Sequence, residues 1–261
     1  MARERTVFTL TVIRTEQLTD HMVRVVLGGP AVASFPDNGF SDRYVKLLFP
    51  PPVGEDGTPA QERPIMRTYT IRRHDRAAGE VSIDFVTHGD SGVAGPWASA
   101  AQPGDELTMT SPGGAYRPDP TADHHLLIGD EAALPAIAAA LEDMPVGANV
   151  TALIEVAGPS DEMTLQSPAA VDLRWIHRGA ASNSDTLVAA VAALDLPEGR
   201  VQAFVHGELH MTRALRPQLL DRGIDRELLS LSGYWRRGKD EDGFQAEKRE
   251  LSAADTAGGA A

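Results

Sequence analysis

The chain has 261 residues, which is enough for two domains with a modest hydrophobic core each. It contains no cysteine, and this excludes disulfides, thiolate zinc sites, iron–sulfur clusters and thiol catalysis, so any redox chemistry must come from a bound cofactor. The net charge of −13 argues against a nucleic-acid binder, because the neutralisation of phosphates requires a basic surface.

The acidic excess lies in the second half of the chain. Residues 1–118 contain 12 lysines and arginines against 14 acidic residues, whereas residues 119–261 contain 12 against 23. No apolar run approaches the roughly 20 residues of a membrane helix, and the N-terminus leads into a strand pattern without a signal-peptide core. The sequence predicts a cytoplasmic protein without a membrane partner, and its composition is compatible with a monomer.

Six short strands are predicted in the first part of the chain, where apolar and polar residues alternate or β-branched residues cluster. These strands cover residues 7–13, 22–27, 44–49, 67–72, 81–87 and 106–110. Turn signals rich in glycine and proline separate them. Their spacing predicts a six-stranded antiparallel Greek-key β-barrel over residues 5–118. The proline- and glycine-rich segment 50–64 is predicted to be a long loop.

Strands and helices alternate in the second part of the chain. Strands are predicted at residues 126–128, 149–156, 173–177, 201–205 and 228–232, and helices at 134–141, around 186–194 and around 211–220. This alternation predicts a parallel sheet with helices on both faces, which is an α/β nucleotide-binding-like domain over residues 123–250. The small and polar residues 251–261 predict a flexible tail.

The stretch Arg67-Thr68-Tyr69-Thr70 combines a cation, a ring and hydroxyl groups on one strand. Side chains alternate along a strand, so Arg67 and Tyr69 share one face while Thr68 and Thr70 share the other. A guanidinium binds phosphate oxygens bidentately, and a tyrosine ring stacks on a flat heterocycle. The pair therefore suits a flat, phosphorylated ligand such as a flavin nucleotide. An ordinary amphipathic strand with a solvated arginine is the alternative.

The segment 92–98 contains two glycines followed by a predicted helix start at Pro96. Free backbone amides at such a start would face a phosphate, although a plain junction between loop and helix has the same pattern.

Two acidic residues, Asp130 and Glu131, stand at the tip of the first predicted parallel strand. They would either repel a pyrophosphate or contact ribose hydroxyls. His206 and His210 are the pair that suggests a metal site, but one ends a strand while the other begins a helix. No third ligand is evident, so no metal site is predicted.

Four sequence motifs, in the same order along the chain, closely resemble those of the siderophore-interacting protein family. These are the ferric-siderophore reductases within the ferredoxin-NADP reductase-like flavoproteins. Residues 67–72 resemble the flavin strand of that family, and residues 233–238 resemble its C-terminal signature. Its pyrophosphate region resembles residues 84–89, 92–98 and 102–105, and the opening of its pyridine-nucleotide domain resembles residues 129–137.

The resemblance implies an FAD cofactor. Arg67 is implied to bind an FAD phosphate, Tyr69 to stack on the isoalloxazine, and the Thr70 hydroxyl to lie near the reactive edge, so that Tyr69 and Thr70 are the implied catalytic residues. Further implied FAD contacts are Asp84, Val86, His88, Gly92, Ala94, Gly95, Trp97 and Trp235. Trp235 would cover the opposite flavin face. Alternatively, Trp235 is a tryptophan of the core or of an interface.

The resemblance also implies a hydride donor and a substrate. NADPH or NADH is the implied co-substrate, with Asp130, Glu131, Ala132 and Glu208 as its contacts. Ala132 stands where family members usually have a threonine. A ferric siderophore is the implied substrate, and the candidate contacts are the basic residues Lys46, Arg72, Arg73, Arg237 and Lys239. Solvated surface charge is the alternative for each of these cations.

The leading hypothesis is thus a cytosolic FAD-dependent reductase of ferric siderophores that releases Fe(II), with iron present only inside the substrate. A second hypothesis keeps the flavin and replaces the chelate by ferredoxin or another protein as the electron partner. A third is a siderophore-binding carrier without enzymatic activity.

Overall fold

A computed structural model describes residues 6–51, 58, 61, 63–89, 92–180, 184–239, 243–244, 247 and 251. Most of the predicted loop 50–64 and the predicted tail after residue 251 lie outside these residues. By its contacts the chain divides into two compact units. The first comprises Met1–Pro120, Leu134–Gly147 and Pro159–Ala169, and the second comprises Thr121–Ala133, Ala148–Gly158 and Ala170–Ala261. The domain limits 5–118 and 123–250 stay predictions.

The first unit contains a closed barrel of antiparallel strands. They are β1 (Val7–Thr19), β2 (Met22–Gly28), β3 (Tyr44–Phe49), β4 (Ile65–Asp75), β5 (Glu80–Val86) and β6 (Glu106–Thr110). Their order around the barrel is β1-β2-β5-β4-β3-β6. The predicted six-stranded antiparallel barrel is confirmed. β1 is longer than predicted, because irregularities at Val12/Arg14 and Gln17/Thr19 adjust its register and let the pairing with β2 continue.

The barrel core follows the alternation of its strands. Inward-facing side chains with no more than about 2% exposure include Leu10, Val25, Val45, Leu47, Phe49, Ile71, Ile83, Phe85, Leu107 and Met109. Helix α1 (Ala94–Ala100) packs on this core through Ala94 and Ala98. The predicted helix start at Pro96 is therefore wrong by two residues. The helix begins at Ala94 because two alanines four residues apart share the buried side of the helix.

The second unit contains a five-stranded parallel sheet. Its strands are β7 (His124–Asp130), β8 (Asn149–Val156), β9 (Ala170–His177), β10 (Val201–Glu208) and β11 (Leu229–Trp235), in the order β11-β10-β7-β8-β9. Helices α3 (Asp185–Ala192) and α4 (Leu209–Asp221) share one hydrophobic core with the sheet. The predicted parallel α/β architecture is confirmed, and each strand prediction identified a real strand.

Helix α2 (Leu134–Glu142) belongs by its contacts to the first unit, where it packs on β4. Arg72 of β4 donates two hydrogen bonds to the carboxylate of Glu142 at the end of this helix. A second tie joins Ser41 to Asp143, with 2.8 Å between the hydroxyl and the carboxylate oxygen. In the described part of the chain, no helix is both long enough and apolar enough to span a membrane.

Candidate functional site

β4 presents two different faces, as the alternation of its residues predicts. Ile65, Tyr69 and Ile71 contact the barrel core, so Arg67, at a position of the same parity, lies on the inward side of the strand. Thr68 is exposed on the other side, opposite Lys46 of β3, whose ammonium group hydrogen-bonds the Thr68 hydroxyl. Thr70 is buried and pairs with Tyr44 of β3.

Tyr69 is held by other aromatic rings. Its ring centroid lies 4.5 Å from that of Phe85 with an interplanar angle of 35°. Phe85 in turn contacts Trp97 of α1 at 5.8 Å, and Trp97 contacts Phe49 at 5.7 Å. This cluster fixes the plane of the half-buried Tyr69 ring, which is the property that a stacking residue needs.

Arg67 differs from the other arginines of its strand. Its guanidinium donates to the backbone carbonyl of Met66 at 2.8 Å, and no carboxylate partner is found for it among the described residues. By contrast, Arg72 pairs with Glu142 and Arg73 pairs with Asp75. Within the described residues the charge of Arg67 is thus not compensated by a carboxylate, whereas those of Arg72 and Arg73 are.

In the described residues that follow β5, the backbone is better placed than the side chains to contact a ligand. Gly92 is exposed with φ of 84°, and a Cβ added to it would meet no atom within 4 Å. Ala94 is buried in the barrel core and Trp97 packs against that core, so their side chains are already in use. Gly95 and Val86 are half-buried, and a Cβ added to Gly95 would lie 3.4 Å from the Val86 carbonyl oxygen. His88 is exposed.

Asp84 is a predicted FAD contact whose carboxylate has a partner within the barrel. It is buried on β5, and Arg24, directly opposite on β2, binds it bidentately at 2.6 and 2.8 Å. Asp84 can therefore reach a ligand through its backbone or through Arg24. Arg24 is not predictable from the sequence, because no local motif marks a residue that acts across two strands.

A cavity of about 400 Å³ lies beside this region of the barrel. It is lined by Gln17, Asp20, Val23, Thr87, Gly89, Pro96, Ser99 and Ala100. Arg67 and Tyr69 are not among its described lining residues, and the charged residue among those is the acidic Asp20. An anionic ligand is not favoured there.

The donor set of the barrel fits an FAD molecule. Arg67, which has no carboxylate partner among the described residues, would offer a guanidinium to a phosphate, the backbone at Gly92 would offer amides, and Tyr69 would offer a ring held by Phe85. These are the groups that would hold the cofactor.

Asp130 lies at the carboxyl end of β7 and is buried, with 1% of its surface exposed. Its carboxylate accepts four hydrogen bonds, from the amides of Ala132 (3.0 Å), Ala133 (3.3 Å) and Glu208 (2.8 Å) and from the indole Nε1 of Trp235 (2.7 Å). Burial raises the pKa of Asp130 to about 6, although the hydrogen bonds from Trp235, Glu208 and Ala133 act in the opposite direction.

Gly207 makes this arrangement possible. It has φ of 136°, and a Cβ added to it would lie 2.7 to 2.8 Å from the carboxylate carbon and oxygens of Asp130. The sequence motif around residues 206–210 predicted a role for Glu208 but none for Gly207. Gly207 lies two residues beyond the predicted strand 201–205 but inside β10, where a glycine often marks a close approach of another group.

Glu131 and Glu155 form a second carboxylate cluster at the same edge of the sheet. Glu131 accepts from the Ala157 amide at 2.5 Å and from Arg178 at 3.1 Å through both of its oxygens. Arg178 also binds Glu155 at 3.2 Å, and Ser184 donates to Glu155 at 3.0 Å. Burial raises the pKa of Glu155. Arg178 was not among the predicted site residues. Its position directly after β9 could have indicated it, because residues at the carboxyl ends of parallel strands often form sites.

Glu208 is buried and caps α4. One of its oxygens accepts from the Met211 amide at 3.0 Å, and the other accepts from the Arg237 amide at 3.2 Å and lies 3.4 Å from Arg236. Ala132 is half-buried, and its amide is bound to Asp130. The four predicted nucleotide contacts thus all take part in hydrogen bonds within the second unit.

The C-terminal motif stacks a cation on an aromatic ring. The Arg237 guanidinium carbon lies 5.0 Å from the centre of the Trp235 ring, and the buried Arg237 Nη2 has no hydrogen-bond partner among the described residues. Lys239 is exposed. Of the five predicted substrate contacts, Arg237 therefore combines an unmet donor with a fixed position, while Arg73 and Lys46 lie on the barrel unit.

The two histidines of the rejected metal motif have separate surroundings. His206 is buried and stacks on Phe204, with its ring nitrogens 3.0 Å from the Tyr234 hydroxyl and 2.9 Å from the Ser230 hydroxyl. His210 is exposed and lies 3.7 Å from Glu247. Within the described ranges, no group of three or more potential ligand side chains is placed to bind a metal.

Comparison with known proteins gives two matches that together cover most of the chain. Residues 11–116 match the siderophore-interacting FAD-binding domain, and residues 122–238 match the siderophore-interacting protein family. The chain is 32% identical to the ferric vibriobactin reductase ViuB of Vibrio cholerae, over 92% of this chain and 93% of ViuB. It is 31% identical to the NADPH-dependent ferric-chelate reductase of Escherichia coli, over 87% of this chain and 91% of that protein.

Solved structures show the same relationship. The siderophore-interacting protein SipS from Aeromonas hydrophila superimposes with a TM-score of 0.84 and 32% identity, covering 95% of this chain and 99% of SipS. The ferredoxin reductase in carbazole 1,9a-dioxygenase superimposes with a TM-score of 0.67 at 18% identity, covering 90% of this chain and 71% of that one, which shows a shared fold.

Proposed function

The chain belongs to the siderophore-interacting protein family, and from this we propose that it is a cytosolic FAD-dependent reductase of ferric siderophores that uses NADH or NADPH and releases Fe(II). The relatives named for ferric vibriobactin and ferric-chelate reduction support the reaction class. The single observation that supports it most directly is the β4 arrangement, in which Arg67 has no carboxylate partner among the described residues and Tyr69 packs against Phe85.

The residues of the barrel have binding and orienting roles in this proposal. FAD, when bound, supplies the chemistry that converts a two-electron reductant into single-electron reduction of iron. Arg67 holds a phosphate, Tyr69 sets the plane of the flavin, and the buried Thr70 lies one residue further along the same strand. The chain needs no general acid or base, because electron transfer to iron moves no proton on the protein.

The chelate is recognised by charge in this proposal. Anionic oxygens of a ferric siderophore are suitable partners for the exposed Lys239 and for the half-buried guanidinium of Arg237, two residues before it. Once reduced, iron leaves because hard oxygen ligands hold Fe(II) less tightly than Fe(III).

An anaerobic stopped-flow experiment tests this function. The FAD-loaded protein is reduced with NADH, mixed with a ferric siderophore, and followed by flavin absorbance together with a coloured Fe(II) chelator. We expect flavin reoxidation with two Fe(II) formed per flavin, because FAD gives up two electrons and iron accepts one. The gallium(III) siderophore is the matched control, since gallium is not reduced. A flavin that stays reduced, or a colourless protein that still binds the chelate, would overturn the proposal.

The role of Arg67 is tested by FAD binding. Arg67→Ala removes the uncompensated guanidinium, and we expect FAD affinity to fall by about tenfold or more, since a charge-assisted contact to phosphate is lost. Arg76→Ala, which removes an exposed arginine just after β4, is the matched control and should bind FAD normally. Equal affinities in the two variants would contradict the role of Arg67.

A further inference from the structure

The parallel sheet of the second unit has a defined position where a dinucleotide is expected to bind. Across the sheet the strands lie in the order β9-β8-β7-β10-β11. Numbered by their position in the chain, this is third, second, first, fourth and fifth. Sheets of this type bind the pyrophosphate of a dinucleotide at the carboxyl ends of the first and fourth strands, where free backbone amides face the anion. Here those strands are β7 and β10.

The amides at this position already have an anionic partner. Ala132 and Ala133 follow β7, Glu208 ends β10, and all three amides donate to the carboxylate of Asp130 at 2.8 to 3.3 Å. The indole of Trp235 adds a fourth donor at 2.7 Å. Gly207, without a side chain, leaves the space that the carboxylate fills.

On the β8 and β9 side of this position, the described cation is already paired. In the described part of this edge, Arg178 is the guanidinium that follows β9, and it is bound by both Glu131 and Glu155. Both carboxylates are buried. A 2′-phosphate of NADPH placed beside the ends of β8 and β9 would therefore meet compensated or negative groups.

We propose that Asp130 is a built-in anion at the phosphate position of this sheet, so that the ADP half of the electron donor is not bound there and the donor is selected by its nicotinamide half. This inference rests on the proposed function, because it concerns the donor of that reaction. NADH, NADPH and reduced nicotinamide mononucleotide, which lacks the adenylate half, should then be similar substrates.

Kinetics of flavin reduction in the unmodified, FAD-loaded protein test this inference. An enzyme that binds the remote half of a substrate loses rate when that half is removed. We expect the second-order rate constants for the three donors to agree within about threefold, in keeping with the absence of a contribution from the remote half. A rate constant for the mononucleotide that is lower than that for NADH by about thirtyfold or more would overturn the inference.

Calorimetry provides a readout without turnover. ADP-ribose and 2′-phospho-AMP are titrated into the FAD-loaded protein, and we expect no binding at concentrations up to about 1 mM, since a charged carboxylate occupies the anion position. Saturable binding of either nucleotide below that concentration, competitive with NADH, would overturn the inference. This result is distinct from a failure of the proposed function, in which chemically reduced protein forms no Fe(II) from the ferric siderophore.

A variant reverses the arrangement. Asp130→Ala frees three amides and removes the buried charge, so the preference for NADH over the mononucleotide should rise by about fivefold or more. Asp221→Ala, which removes an exposed carboxylate at the end of α4, is the matched control and should leave the ratio unchanged. An unchanged ratio in a folded Asp130→Ala protein would count against the inference, and the two tests on the unmodified protein decide it if this variant does not fold.

Discussion

Asp130 is an ionisable residue whose environment predicts a pH dependence of stability. Its pKa is raised by burial from 3.8 to about 6 in the folded chain, so the folded state holds its proton more tightly than the unfolded state. The contribution of Asp130 to the free energy of unfolding is therefore largest below pH 4 and is lost as the pH rises from about 4 to about 6, with no further change above that range.

The measurement is a comparison with Asp130→Asn, which does not titrate. Between pH 4.5 and 7 the free energy of unfolding of the natural chain should fall relative to that of the variant, by at most roughly 3 kcal/mol, because each pKa unit corresponds to about 1.4 kcal/mol. Urea titrations at several pH values give this difference. Parallel pH profiles in the two proteins would show that the carboxyl has an ordinary pKa.

Tyr69 leads to a prediction about cofactor retention. Tyr69→Ala removes the ring that Phe85 positions, and FAD affinity should fall by about tenfold, the upper range for the loss of one aromatic stacking contact. Tyr69→Phe keeps the ring and is the matched control. Fluorescence titration of the apoprotein with FAD measures both affinities, and normal FAD binding by the alanine variant would rule out stacking.

At the level of elements, the pairing of β2 with β5 depends on one buried ion pair. Arg24 and Asp84 are direct cross-strand partners, and Asp84 is almost fully buried. Asp84→Ala should cost about 3 kcal/mol, because it leaves a largely buried guanidinium without a counter-charge. The double variant Arg24→Met/Asp84→Leu should recover most of this loss. A double variant that is less stable than Asp84→Ala would contradict this account, as measured by denaturant unfolding.

The sequence predicted elements better than it predicted the partners of their side chains. Strands β3, β6 and β8 have the predicted bounds, because their apolar patterns end at clear turn or polar signals. The start of α1 was misplaced because a proline at the third helical position was taken for the first. The boundaries of a helix depend on which of its residues pack into the hydrophobic core. This packing is set by distant parts of the chain and not by the local sequence.

The candidate site shows the same limit. Side chains alternate along a strand with a period of two, which predicted that Arg67 and Tyr69 lie on the same face of β4. In the structure they do lie on the same face. The partners of Asp84 and Asp130 did not follow, because Arg24 and Trp235 are 60 and 105 positions away in the chain. Whether a charged residue is free for a ligand is decided by such distant partners, and a motif does not contain them.

For the whole molecule, the net charge of −13 predicts that the rate of association with an anionic chelate depends on salt concentration. Raising the ionic strength from 0.01 to 0.15 M shortens the Debye length from about 30 Å to about 8 Å and screens the repulsion. The second-order rate constant for reoxidation of the reduced flavin by an anionic ferric chelate should then rise a few-fold, while that of a neutral chelate stays constant. A rate constant that falls with salt would show instead that local cations dominate the approach.

The arrangement of strands bears on how copies of this protein behave at high concentration. The barrel closes on itself and so has no outer strand, whereas β9 is an outer strand of the parallel sheet. Asp172 and Arg174 stand on β9 as a surface ion pair at 2.6 Å, each with about half of its side chain exposed. Charged side chains on an outer strand oppose its pairing with a strand of a second molecule. This ion pair therefore opposes edge-to-edge aggregation at β9, one of the two outer strands of the sheet.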